Sequence, residues 1–172
     1  MIIDAHCHLG AWGGVVTPDD TPQRTVERLE QAGIAGALIM PFAGLYSNCS
    51  DHPTDNDRVF KYCAGAPGRL FPAFTVNPLM GQAALDEIRR CAVERGAKVL
   101  KLHPWLQGFS VRSPEMDAVA GLCRELGVAV VFHDGSPLYS HPLQCARLCR
   151  DFPGLTVVSG HAGLGDLWRE AI

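Results

Sequence analysis

No stretch of this sequence approaches the roughly 18 consecutive apolar residues that a membrane-spanning helix needs, so no span is expected. Runs of like charge are missing too. Lys, Arg, Asp and Glu make up 19% of the 172 residues, lie scattered, and leave a net charge of -3. That balance gives no electrostatic basis for holding nucleic acid or an anionic membrane surface. The N-terminus lacks the basic-then-apolar layout of a signal peptide, because Asp4 and His6 interrupt it at once, and a cytoplasmic protein is expected. The seven cysteines, Cys7, Cys49, Cys63, Cys91, Cys123, Cys145 and Cys149, include no Cys-x-x-Cys pair. They read as reduced thiols serving as small core residues. Gly13-Gly14 is a bend without a phosphate-loop pattern, and Asn48-Cys49-Ser50 is a glycosylation sequon without secretion to use it.

What is present is a repeated alternation. Six strand-then-helix units can be read, with strands at Ile2–His6, Ala35–Met40, Leu70–Val76, Ala97–His103, Val128–His133 and Leu155–Gly160. Helical patterns follow at Pro22–Gln31, Asp55–Ala64, Gly81–Arg95, Pro114–Leu126, Pro142–Asp151 and from Asp166 onward. Strands alternating with helices of this length imply an α/β fold with a parallel sheet, and the length suits one domain over residues 1–172. Helix-to-strand joins are brief and carry Gly33, Gly96, Gly127 and Gly154, where a left-handed residue closes each helix. Strand-to-helix joins (Leu9–Thr21, Pro41–Thr54, Pro104–Ser113) are longer and rich in Gly, Pro, His and aromatics. Long loops after parallel strands are where such folds build their sites.

Five of the seven histidines, His6, His8, His103, His133 and His161, sit at strand ends, whereas His52 and His141 lie in loops or near helix starts. In Asp4-Ala5-His6-Cys7-His8, simple alternation puts Asp4, His6 and His8 on one face. Two imidazoles on one face can hold a divalent ion, zinc foremost. His133 ends the apolar run Val128–Phe132, and a polar group there needs a partner; a metal supplies one, making it the third ligand. His161 is a further ligand or a general acid/base beside a metal-bound water. Lys101 shares a face with His103, and a lysine inside a barrel needs pairing. It either pairs with Asp4, binds a substrate carboxylate, or is carbamylated to bridge two metals. Trp12, Phe42, Tyr46 and Trp105 lie in loops on the functional side, with Trp12 and Trp105 chosen as substrate-binding residues. Asp55-Asn56-Asp57 lacks most of a calcium loop and marks a helix start.

Asp4-Ala5-His6-Cys7-His8-Leu9-Gly10, Lys101-Leu102-His103-Pro104, Phe132-His133-Asp134-Gly135 and Gly160-His161-Ala162-Gly163 together resemble the amidohydrolase-related (amidohydrolase 2) family. That family holds metal-dependent hydrolases and non-oxidative decarboxylases. The resemblance runs through the whole chain and implies a TIM-like barrel, with His6, His8 and His133 as metal ligands and His161 catalytic or a ligand. Family members complete eight strands and take an aspartate from the eighth, whereas only six βα units can be read here. A full barrel takes about 250 residues. An incomplete or open barrel is therefore expected, shortened at its C-terminal side, with strands one and six as open edges that partner copies would cover in a homo-oligomer.

On this reading the chain is a hydrolase of a small-molecule substrate working through a metal-activated water, with His161 and His103 transferring protons. The alternatives are a metal-dependent non-oxidative decarboxylase of the same family, or a non-catalytic remnant that binds only metal or partner chains.

Overall fold

Proline opens the helices and glycine closes them. In the computed structural model, which describes residues 1–9, 21–46 and 51–172, α1 (Pro22–Gln31), α4 (Pro104–Gln107), α5 (Pro114–Leu126) and α6 (Pro142–Asp151) each begin on Pro. In α2 (His52–Ala64) a proline, Pro53, is the second residue. A proline in the first turn lacks an N–H where none would be paired, and its fixed φ suits the helix. Thr21, Asp51 and Ser113 cap their helices by accepting from the N–H groups of Arg24, Thr54 and Met116. His141 and Gln144 form a reciprocal capping box on α6. The four glycines expected to stop helices, Gly33, Gly96, Gly127 and Gly154, all have positive φ, between 65° and 91°. The remaining helix, α3 (Gln82–Arg89), runs on into a π turn over Arg90–Glu94.

Six parallel strands alternate with these helices: β1 (Ile3–Leu9), β2 (Gly36–Pro41), β3 (Leu70–Pro72), β4 (Val99–Leu102), β5 (Ala129–Phe132) and β6 (Val157–Ser159). They pair in the orders β1-β2-β3 and β4-β5-β6. Phe74 joins the two triples, donating its N–H to Val99 O at 3.0 Å and accepting from Lys101 N–H at 2.8 Å. β3 is shorter than the sequence suggests because Pro72 brings no N–H to the ladder. Beyond it the backbone changes partner: Ala73 still donates to Ile39 on β2, and Phe74 already donates to Val99 on β4.

Period-two alternation then sorts the side chains. Leu100, Leu102, Val130 and Phe132 face outward into the largest core with α3, α5 and α6. Ala37 and Ile39 meet Leu29, Val59 and Cys63 under α1 and α2. Met40, Ala73 and Val131, with Leu38 and Val99 beside them, fill the inside of the curved sheet. On β4 the inside register continues from Val99 to Lys101 and His103, and on β5 from Val131 to His133. The apolar layer is thus a floor, with the basic side chains standing above it. Four cysteines, Cys63, Cys91, Cys123 and Cys145, are buried, and Cys7 and Cys149 are also free thiols. Cys49, Gly13-Gly14 and the glycosylation sequon lie outside the described residues. Among the described residues no helix is long and apolar enough to cross a membrane.

Three local expectations change. β1 runs on to Leu9, and its register with β2 shifts between Asp4 and Cys7, where three steps on β1 match two on β2. This bulge turns Asp4 away from His6 and His8, so that its carboxylate accepts from the Cys7 thiol at 3.1 Å and from its own strand's His6 N–H. α2 begins one turn earlier than Asp55, because Asp51 takes the cap; Asp55 and Asn56 are buried within it instead. The segment from Asp166 forms turns rather than a helix. Ala162, Gly163 and Leu164 before it all have positive φ, which no right-handed helix accommodates.

Phe74 is fully buried at the junction of the two strand triples. Phe74→Ala is expected to destabilise the protein by about 3–5 kcal/mol. A urea titration that gave a loss of unfolding free energy below about 1 kcal/mol would contradict the junction's role.

Candidate functional site

The C-terminal ends of the strands bring six basic side chains into one group. The His6 ring is held by an Nδ1–H bond to Gly160 C=O at 3.3 Å, and the His8 ring by one to Pro41 C=O at 3.1 Å. A carbonyl can only accept, so each Nδ1 carries the proton and each Nε2 presents a lone pair. Those two Nε2 atoms face each other at 3.2 Å, and the Lys101 amine stands 3.3 Å from His6 Nε2. Two facing lone pairs repel unless something positive lies between or beside them.

The 3.2 Å separation also tests whether a metal ion suits the pair. Two nitrogens bound at about 2.1 Å to one ion, at roughly 90–110°, stand about 3.0–3.4 Å apart. His6 and His8 meet that condition, and their carbonyl-anchored Nδ1–H groups are the usual outer support of metal-binding imidazoles. The donor set therefore fits a divalent ion at this pair. Among the described residues, no group of three or more His, Cys, Asp or Glu side chains is placed to hold an ion as it stands.

The other three histidines form a neighbouring stack. His103 and His133 lie nearly parallel, 3.7 Å between ring centroids. His133 Nδ1 and His161 Nε2 share a hydrogen bond of 2.8 Å, and the His161 ring lies 4.8 Å from that of His6. His161 is thus the link between the two groups. Gly160 makes this possible, since a Cβ there would stand 2.6 Å from Phe132 O and 3.2 Å from His6 Cε1. His103 also caps α4, its Nδ1 accepting from Leu106 N–H.

Burial sets the electrostatics. It pushes His6 and His103 down to about 4 and His133 down to about 3, with the Lys101 charge adding to all three, and lowers His8 and His161 as well. The imidazoles are therefore neutral at pH 7, which is the form that binds metals. Burial also pushes Lys101 down to about 8, partly opposed by the Asp134 charge. Asp4 is not its partner, because the β1 bulge has turned that carboxylate toward Cys7. Among the described residues Lys101 has no carboxylate in ion-pair contact.

Of the aromatic candidates, Trp105 is 60% exposed and lies 6.5 Å from the His103 ring. With Pro137, Leu138 and Tyr139 it borders an apolar cleft of about 290 Å³. Phe42 meets His8 edge-on at 5.6 Å, with Tyr46 behind it. Trp12 lies outside the described residues. Two residues escaped the sequence reading. Gln107, 1% exposed, bonds His103 N–H, Val76 O and Gly44 O, stitching together the ends of three strands. Asp134, fully buried, accepts from Ser159 Oγ and from the N–H groups of His161 and Gly163. A Gln four residues after a His has no signature of its own, but an acid directly after the strand-end His133 is a visible signal.

With this geometry in place, comparison with known proteins is informative. The amidohydrolase family model matches residues 3–172. No curated protein matches the chain. Among solved structures it is similar to 2,6-dihydroxybenzoate decarboxylase from Rhizobium, at TM-score 0.73 and 17% identity over 98% of this chain and 69% of that one. It is similar to dihydroxybenzoic acid decarboxylase from Polaromonas, which holds manganese and the inhibitor 2-nitroresorcinol, at TM-score 0.72 and 17% identity over 98% of this chain and 68% of that one. A probable 2-pyrone-4,6-dicarboxylic acid hydrolase from Acinetobacter baumannii, with citric acid bound, gives TM-score 0.60 and 16% identity over 91% of this chain and 56% of that one. The chain thus spans just over half to about two thirds of these proteins' lengths, and the likeness is one of fold: a TIM-like barrel represented by six parallel strands, the first five each followed by a helix.

The lysine gives a pH prediction for the metal-free protein. Its amine titrates near 10.5 when unfolded and about 8 when folded, so the unfolded chain holds more protons between those values. The contribution of Lys101 to stability should therefore rise with pH through that window, from a penalty on the order of 3 kcal/mol that is present in full below pH 8. The buried thiols of Cys63, Cys123 and Cys145, pushed up from 9 to about 12, pull the whole protein the other way above pH 9. Lys101→Met is expected to raise the urea midpoint at pH 7, and its advantage over the wild type should shrink as pH rises from 8 to 10.5. The buried imidazoles act at the other end, with stability falling as pH drops from about 6.5 toward 4. A stability difference between the wild type and Lys101→Met that stayed constant from pH 8 to 10.5 would contradict this assignment.

Proposed function

The chain belongs to the amidohydrolase family, and from that premise we propose that it is a metal-dependent non-oxidative decarboxylase acting on a small carboxylic acid. The observation that carries this reading is the buried Lys101 amine, without a carboxylate in ion-pair contact among the described residues and 3.3 Å from His6 Nε2, one nitrogen of the facing pair. A buried cation with no counter-ion is a seat for an anion, and a substrate carboxylate is the anion a decarboxylase must hold. The likeness to two benzoate-type decarboxylases, one of them holding manganese, supports it over the hydrolase reading. The hydrolase remains a second reading because one similar structure is a probable hydrolase.

His6 and His8 would hold a divalent ion, with His133 available to complete its coordination. When bound, that ion would stabilise negative charge gathering on substrate oxygens as the carbon–carbon bond breaks. Lys101 Nζ orients the carboxylate. Carbon dioxide leaves without its bonding electrons, so the remaining carbon must take a proton. His161 is placed to deliver it, since its Nε2 already shares a proton with His133 Nδ1 at 2.8 Å. His103, stacked on His133, backs that pair, and the Trp105 cleft gives an apolar body of the substrate somewhere to rest. The manganese of the Polaromonas structure sets that metal beside zinc as the candidate.

The edges of β1 and β6 are partly open, with Ile3 and Val158 about two-fifths exposed, and second copies of the chain would cover them. Sedimentation should then show a dimer or larger species at micromolar concentration.

Metal loading followed by elemental analysis is expected to give about one manganese or zinc per chain, lost in the His6→Ala/His8→Ala double variant. Carbon dioxide release is then followed from hydroxybenzoates and aliphatic dicarboxylates. Lys101→Met should lower kcat/KM by roughly two orders of magnitude while retaining the metal. Wild-type protein that takes up no metal would sink the proposal, and lactone hydrolysis without carbon dioxide release would move it to the hydrolase reading.

A further inference from the structure

The loop that carries His161 is held in an unfavourable backbone conformation. Ala162 (φ 49°), Gly163 (φ 81°) and Leu164 (φ 56°) follow one another in the left-handed region, and two of the three are not glycine. Residues with a Cβ do not stay there unless their surroundings hold them. Two backbone bonds, Leu164 N–H to His161 C=O and Leu167 N–H to Gly163 C=O, close the turn, and one side chain ties it to the rest of the barrel. The Asp134 carboxylate accepts from His161 N–H at 2.7 Å, from Gly163 N–H at 2.6 Å and from the Ser159 hydroxyl. These donors lie on both sides of the bend, so the carboxylate clamps the end of β6 to the start of the turn. Backbone N–H groups gathered by a tight turn form a concavity suited to an anion, and here the N–H groups of His161 and Gly163 meet one that is built in. Burial would raise the Asp134 carboxyl, but its hydrogen bonds outweigh that and keep it low.

The clamp bears on the site through the His161 ring. That ring follows directly from the clamped peptide and reaches His133 Nδ1 at 2.8 Å, with ring centroids at 4.1 Å, and the His6 ring at 4.8 Å. His133 is Asp134's own chain neighbour. One residue therefore positions both imidazoles of the pair, His133 through the peptide bond and His161 through the loop. We propose that Asp134 is a positioning residue of the site: it fixes the left-handed turn after β6 and so aims the His161 ring between His133 and His6. The inference rests on the reading of His161 as part of the functional site, and it assigns Asp134 no contact with substrate.

The test uses metal-free protein, so that it does not depend on metal binding or turnover. Asp134→Asn keeps size and shape but replaces one acceptor oxygen with a donor, which meets the N–H of His161 or of Gly163 whichever way the amide is turned. In NMR spectra, the through-space contacts of the His161 ring with the His133 and His6 rings are expected to fall at least threefold. Hydrogen exchange at His161 and Gly163 should accelerate about a hundredfold, while β5 amides stay protected. A merely structural role would lower the melting temperature and leave the ring contacts intact, and that result would overturn the proposal. If Asp134→Asn does not fold, Ser159→Ala is read in the same way at smaller amplitude, unchanged ring contacts and exchange again counting against it. Wild-type protein that shows the ring contacts but takes up no metal would refute the decarboxylase reading and leave the role of Asp134 standing.

Discussion

Lys101 stands fully buried above the apolar floor of Met40, Ala73 and Val131, its amine 3.3 Å from His6 Nε2 and in ion-pair contact with no described carboxylate. The other ionisable groups of the mouth answer to that charge. It helps hold His6, His103 and His133 neutral, and neutral imidazoles leave lone pairs that a metal ion or a shared proton can use. A carboxylate beside Lys101 would relieve the lysine and, by charge, favour protonated histidines. The two outcomes exclude each other. A barrel interior that keeps one cation without an ion-pair contact thereby keeps the surrounding imidazoles neutral, the form able to bind a metal.

Much of this was visible in the sequence because it depends on short-range rules. Pro22, Pro114 and Pro142 mark helix starts, Gly33, Gly96, Gly127 and Gly154 mark their ends, and both sets fall where expected. Alternation along Val99-Leu100-Lys101-Leu102-His103 put the lysine and the histidine on the inner side without reference to any other strand. The same reasoning failed on β1. There a one-residue bulge leaves His6 and His8 together and turns Asp4 away, and nothing in Asp4-Ala5-His6 announces it. A bulge is a property of two strands in register, and a single strand's pattern does not carry it.

Long-range closure was illegible for the same reason. Phe74 passes from β2's neighbourhood to β4's within two residues, and only the position of Pro72 hinted that the ladder would break there. Asp134 read as part of a motif rather than as a clamp, because its partners lie 25 to 29 residues away. The left-handed run through Ala162 and Leu164 defied propensity, which would never place alanine and leucine there. Such violations of local preference cluster where the rest of the structure over-determines the backbone, and here they fall beside a strand-end histidine.

The distribution of roles among the strands has a mechanical consequence. The candidate ligands His6 and His8 lie on the first triple of strands, whereas Lys101, His103, His133 and His161 follow from the second. The triples are bonded to each other at Phe74 on one side, and on the other by the His6 Nδ1–H bond to Gly160 C=O, across 154 residues of chain. That second bond is made by a ring of the site itself. Any flattening of the six-stranded sheet would lengthen it before disturbing a single helix, and would free His6 Nδ1 from the carbonyl that fixes its tautomer. The curvature of the sheet and the tautomer of His6 are therefore one variable. The absence of a side chain at Gly160, which lets the two edges approach, matters to the chemistry as much as the imidazoles do.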